Sequence, residues 1–142
     1  MKLFSFILFI SLLVPSLSHA QSCRSFTKKT CRPALENYIH NGQMNTAVLF
    51  PGDKADMMLT FYSGQKYRLL VCTQEQLGDV TFRVLDIDRN EVYNSKKKDS
   101  NTFDFKVAST QQLIVEVTVP ESKSTHDMDF QGCISILVGF TE

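Results

Sequence analysis

Three stretches in the second half of the chain alternate in the strict two-residue pattern of a half-buried β-strand. Phe103, Phe105 and Val107 alternate with Asp104 and Lys106. Leu113, Val115, Val117 and Val119 alternate with Ile114, Glu116 and Thr118, and Ile134, Ile136, Val138 and Phe140 alternate with Ser135, Leu137 and Gly139. Successive strand side chains point to opposite faces, so each first-named set shares one face. Such sets must be buried against a second layer, which constrains the chain to a packed-sheet architecture.

Turn chemistry divides the chain after Gly42 into eight short runs. Thr46–Phe50 stops at Pro51-Gly52-Asp53, Ala55–Tyr62 at Ser63-Gly64-Gln65, and Lys66–Cys72 at a polar loop through Gly78. Val80–Ile87 turns at Asp88-Arg89-Asn90 into Glu91–Asn94, and a charged loop, Ser95–Asn101, leads to Thr102–Ala108, Gln111–Val119 and Gly132–Phe140. Gly, Pro, Asn and Asp clusters of this kind interrupt strands, and no helical window of comparable length competes. The expected fold is all-β: a single sandwich or jelly roll of about eight short antiparallel strands over 43–142. The expected core adds Tyr67, Leu69, Val71, Phe82 and Val84 to the alternating sets. Residues 21–42 read as a polar N-terminal arm with one short helical turn, opened by Pro33, carrying Leu35, Tyr38 and Ile39, and ended by Asn41-Gly42.

The first twenty residues read as a cleavable signal peptide. Lys2 supplies a positive charge, Leu3–Val14 is an apolar run, and Ser18-His19-Ala20 offers small residues before a cleavage point at Gln21. About twelve apolar residues cover only half of a ~30 Å hydrocarbon core. Lipidation at Cys23 fits poorly, because Ala20, Gln21 and Ser22 precede the cysteine in place of a Leu-rich box. An exported protein, periplasmic or extracellular, is expected, with no transmembrane segment after cleavage. Basic and acidic residues balance at 15 each, so the whole-protein field attracts no nucleic acid.

All four cysteines, Cys23, Cys31, Cys72 and Cys133, follow the leader. An even count in an exported chain favours disulfides, and three pairings are open. Cys72 and Cys133 fall on outward positions at the end of one strand and the start of another, so a bridge between them is expected, leaving Cys23 with Cys31. No cysteine pair shows zinc-knuckle spacing, and no metal or other cofactor is expected.

Candidate chemistry is sparse. Asp86, Asp88 and Asn90 open like a calcium loop, but Glu91 stands where that loop needs glycine and Lys97 where it needs glutamate, so the segment reads as a hairpin turn. Lys96, Lys97 and Lys98, with Arg24, Lys28, Lys29 and Arg32 in the arm, could meet anionic groups. Tyr38, Tyr62 and Tyr93 are the aromatics least claimed by the core pattern and so could face a ligand. Hydrolysis would have to use His40 or His126 with loop carboxylates, and no Gly-x-Ser-x-Gly elbow is present; Asp127 and Asp129 have no second acidic cluster to pair with as glycosidase carboxylates.

From Ala55 to Phe140 the order of features resembles the bacterial pre-peptidase C-terminal type of β-sandwich. The likeness rests on the Gly64-Gln65-Lys66-Tyr67 turn into an apolar strand, on Val80–Asp88 running into an acidic turn, and on the strands Leu113–Val119 and Cys133–Phe140. The chain is also similar to small uncharacterised exported bacterial proteins with a Gly-Gln-x-Tyr-Arg segment, here Gly64–Arg68, and a closing Gly-Cys-x-Ser-Ile-Leu-Val-Gly segment, here Gly132–Gly139. The resemblance implies a non-catalytic module and supplies no active-site residue.

The expected function is therefore a non-catalytic binding module for an unknown protein or glycan, with a small secreted hydrolase as the alternative. Ile114 and Leu137 point away from the core sets, which implies either a partner-facing sheet or a cover formed by Cys31–Ile39.

Overall fold

A computed structural model of the chain describes residues 19–123 and 130–142. The expected leader falls almost wholly outside the described residues. In chain order the elements are α1 (His19–Phe26), a π turn (Thr27–Cys31), a 3-10 turn (Arg32–Leu35), β1 (Ile39–His40), β2 (Asn45–Leu49), β3 (Lys54–Phe61), β4 (Lys66–Thr73), β5 (Thr81–Leu85), β6 (Glu91–Asn94), α2 (Ser95–Lys98), β7 (Thr102–Lys106), β8 (Gln111–Thr118) and β9 (Gly132–Thr141). Two antiparallel sheets pack as a β-sandwich. The first runs β1-β9-β4-β7 with β2 also on β9, and the second runs β3-β8-β5-β6. The strand beyond the eight expected is β1, whose two residues extend the first sheet ahead of residue 43.

The alternating sets meet between the sheets. Leu113, Val115, Val117 and Val119 pack with Ile134, Ile136, Val138, Tyr67, Leu69, Val71, Phe82 and Val84, joined by Leu49, Leu59, Phe61 and Leu77. Each such side chain contributes roughly 1.5–3 kcal/mol by leaving water. Phe103, Phe105 and Phe140, expected in the centre, are partly buried at its margin. A file of rings runs along that margin: Phe82 beside Tyr93, Tyr93 stacked on Phe103 at 4.4 Å, Phe103 on Phe105 at 4.6 Å, and Phe105 edge-on to Phe61. These stacks join β5, β6 and β7, and so hold the two sheets together on the side where both end in short strands.

The N-terminal arm differs from expectation. In place of a polar arm with one turn after Pro33, the chain is helical from His19 to Leu35. Cys23, Thr27, Cys31 and Leu35 are all buried, at four-residue intervals. Four-residue steps drift by roughly 40° each around an ideal α-helix, and the wider π turn at Thr27–Cys31 takes up that drift, keeping the four on one face. The stripe contains two cysteines and a threonine, so apolar periodicity does not reveal it.

The disulfides also differ. Cys23 bonds Cys133 and Cys31 bonds Cys72, with Cα separations of 5.3 and 5.7 Å. The expected Cys72–Cys133 bridge fails on register: Cys72 stands opposite Ser135, two positions from Cys133. Diagonal neighbours of that kind lie about 7–8 Å apart, beyond the span a disulfide accepts. Both cysteines do point outward, and the arm lies across that outer face and takes each in turn. Beneath it, Leu70 and Leu137 are fully buried with Leu35 and Cys31, flanked by Phe26 and Tyr38. The hydroxyl of Thr27 donates to the Cys23 carbonyl at 2.8 Å and is hydrogen-bonded to buried Ser135, so neither hydroxyl is stranded under the arm.

Candidate functional site

The two outer faces of the sandwich are treated differently. The arm packs on β2, β4 and β9, and α2 packs on β5. Neither packs on the outer surface of β3 and β8, whose side chains fall into transverse rows set by the register. One row is Asp56, Glu116 and Arg83; the next, one pleat along, is Met58, Ile114 and Leu85; the third is Thr60 and Gln112.

The middle row is apolar. Met58 is 53% exposed at its edge, while Ile114 and Leu85 are largely buried. Ile87, 64% exposed, lies in the turn just past Leu85, and Tyr62, 63% exposed, follows the end of β3. The charged row is knitted together beside it. Arg83 bonds Glu116, Arg89 reaches Asp56 at 3.3 Å and Glu116 at 3.8 Å, and Glu91 takes Lys97 at 2.6 Å. The Lys97 ammonium, aided by the Asn94 amide, holds the Glu91 carboxyl below its ordinary range. An apolar centre with a polar rim is the anatomy of a protein-contact patch.

The loops that frame this patch are braced. Asp86 accepts from the backbone N–H of Asp88 and Asn90 and from the Asn90 side-chain amide, so the segment is a hairpin turn, and the Asn90 bonds hold the Asp86 carboxyl low. At the other corner Tyr62 N–H donates to Tyr67 Oη, which donates to Gln65 Oε1 at 2.8 Å, and Ser63 N–H donates to Thr110. Gly64 supplies the left-handed residue of that turn. Tyr62 is thus an exposed ring on a fixed loop.

The other residues singled out in the sequence are scattered. Tyr93 is packed in the ring file with its hydroxyl donating to the Thr102 carbonyl at 2.9 Å, so it is not ligand-facing. Tyr38 is half-buried under the Arg68 guanidinium, 4.6 Å from the ring centre, and closes the arm rather than facing a ligand. Lys96 and Lys98 are exposed on α2, which Asn94 caps, and Lys97 is tied to Glu91. His40 Nε2 lies 3.0 Å from the Gln43 carbonyl and so faces backbone rather than an acid. His126, Asp127 and Asp129 lie outside the described residues.

Leu137 has the cover that Cys31–Ile39 was expected to provide, so its half of the partner-surface expectation is corrected; Ile114 is buried beside exposed Met58, away from the arm. Met58 and Ile87 were not foreseen. The run Met57-Met58-Leu59 is apolar on both faces and hides the alternation of β3, and Ile87 sits in a turn.

A second concavity, about 960 Å³, opens between the sheets at the opposite end, lined among others by Thr73, Asp79, Thr81, Asn101 and Thr118. Its one ring, Phe82, is buried in the core, so it presents no aromatic platform to a sugar.

No family model matches the chain, and no curated protein matches it. Among solved structures it is similar to Aeromonas hydrophila PliG, a periplasmic inhibitor of g-type lysozyme, with 9% identity and a TM-score of 0.50 over 75% of this chain and 90% of that one. The chain shares the fold of that inhibitor. At this identity the likeness concerns architecture alone, and no residue is carried across. Among the described residues, no helix is long and apolar enough to cross a membrane.

Proposed function

We propose that this chain is an exported, non-catalytic module that binds a protein through the outer face of β3, β8 and β5. The observation that carries the reading is the exposed pair Met58 and Ile87, lying beside buried Ile114 and Leu85 and bordered by paired charges, on a framework closed by two disulfides. Its likeness to a periplasmic protein inhibitor supports a protein partner in an oxidising compartment and makes a lysozyme of the g type the first candidate. A protein is favoured over a glycan because the exposed surface offers Met58, Ile87 and Tyr62 as apolar anchors, while the cleft offers a sugar no exposed ring.

Interferometry with the immobilised protein against g-type lysozyme, paired with a cell-wall lysis assay, tests this reading. Saturable binding that Met58→Asp/Ile87→Asp weakens at least tenfold is the expected result, since a charge in an apolar centre removes hot-spot burial. Absence of binding to the lysozyme removes that partner, and binding unaffected by the double substitution removes the surface.

A further inference from the structure

We infer that the ridge of the helical arm, through Arg24, Lys28, Lys29 and Arg32, docks this protein on an anionic bilayer surface. The arm's orientation is set by its buried stripe, Cys23, Thr27, Cys31 and Leu35, and by its two disulfides. Arg24, Lys28 and Arg32 each follow a stripe residue by one position, and with Lys29 they are exposed on a ridge about 12 Å long. Residues 19–35 contain no Asp or Glu. Among the described residues, no ion pair or side-chain hydrogen bond engages any of the four cations, whereas Arg68, beside the arm's end, takes both Glu36 and Asp104.

The whole chain is neutral, so these cations are a local excess. Lys66 and Lys106 stand opposite each other at the far end of the same sheet, beyond Arg68 and its two acids, and are not part of the ridge.

Shape decides the class of anion. The donors diverge from a convex helix, whereas a discrete phosphate needs donors that converge on it. A plane of lipid headgroups presents anions along the whole ridge at once. A protein partner would need an apolar centre, and none of the exposed large hydrophobic residues lies between Cys23 and Leu35. Near an acidic leaflet each Lys or Arg is worth about fivefold in affinity. The ridge lies on the first sheet's outer face and the apolar row on the second's, so the two surfaces are tested separately.

The experiment is co-sedimentation of the mature, disulfide-intact protein with vesicles of phosphatidylglycerol and phosphatidylcholine, and with vesicles of phosphatidylcholine alone. Retention on the anionic vesicles only is expected, weakening as salt rises. Arg24→Gln/Lys28→Gln should lower it by about 25-fold, while Lys96→Gln/Lys98→Gln, on α2, leaves it unchanged. Intact mass and circular dichroism confirm that each variant keeps both disulfides and its fold. No retention on anionic vesicles, equal loss in the two variants, or capture by soluble polyglutamate with none by vesicles would overturn the inference.

Discussion

Cys31 reaches from the helical arm to Cys72 on β4 and closes a loop of 41 residues, while Cys23 reaches Cys133 on β9 and closes one of 110. Both bridges join the same arm to the same sheet, so they restrain the unfolded chain to different extents while protecting one contact. Replacing either pair by alanine should cost roughly 2–5 kcal/mol in a urea titration. The Cys23→Ala/Cys133→Ala pair should cost about 1 kcal/mol more, because its loop is longer. Non-reducing peptide maps should show the 23–133 and 31–72 links. A 72–133 link would contradict the register of β4 and β9.

Thr27→Val keeps the arm's shape and removes its hydroxyl, leaving buried Ser135 without that partner. Ser135 keeps a longer bond to Thr46 Oγ1 at 3.4 Å, so a loss of about 0.5–1.5 kcal/mol, the worth of one hydrogen bond, is expected by denaturation. Thr27→Ser, which retains the hydroxyl, should recover most of it.

Gly139 lies under the arm, where an added Cβ would sit 2.6 Å from the Tyr38 Cβ. That atom is fixed to the backbone and cannot swing aside. Gly139→Ala should therefore cost about 1–3 kcal/mol, with faster amide exchange across residues 35–40 as the arm lifts. At Gly132 an added Cβ would sit 2.7 Å from the Cγ of Leu77, a buried core side chain, and alanine there should cost a comparable amount.

The Arg68 hydrogen bonds, with a smaller part from Tyr38, hold the Asp104 carboxyl below its ordinary range. A depressed carboxylate contributes stability above its unfolded pKa, and that contribution is lost as pH falls through the folded value. Thermal scans should show it fully present at neutral pH and declining below about pH 4. Asp104→Asn should lower the neutral-pH melting temperature slightly and flatten this part of the acid limb. The effect is modest because Asp104 is 43% exposed.

Much of this architecture was legible beforehand. The parity of β4, β7, β8 and β9 follows directly from Tyr67–Val71, Phe103–Val107, Leu113–Val119 and Ile134–Phe140, because a period of two admits only two faces. The hairpin at Asp86–Asn90 was legible for the same local reason, since its bonds close within five residues. The candidate patch was not. Ile114 was visible as an outward apolar residue, but Met58 and Ile87 join it only through strand register and a turn, which pair residues about 30 to 60 positions apart in sequence.

By itself the sequence determined the fold class, the inward sets and the outward pointing of Cys72 and Cys133, since each depends on backbone geometry repeating over a few residues. Only the tertiary structure decided what each outward residue met: that Cys72 stands opposite Ser135, that the arm rather than a partner covers Leu137, and that Met58 stays exposed beside a buried Ile114. The physical reason is that alternation specifies the face of a sheet, while register and cover come from contacts between distant segments. Those contacts are settled when the arm's four-residue stripe finds the one sheet face whose cysteines and hydroxyl match its own.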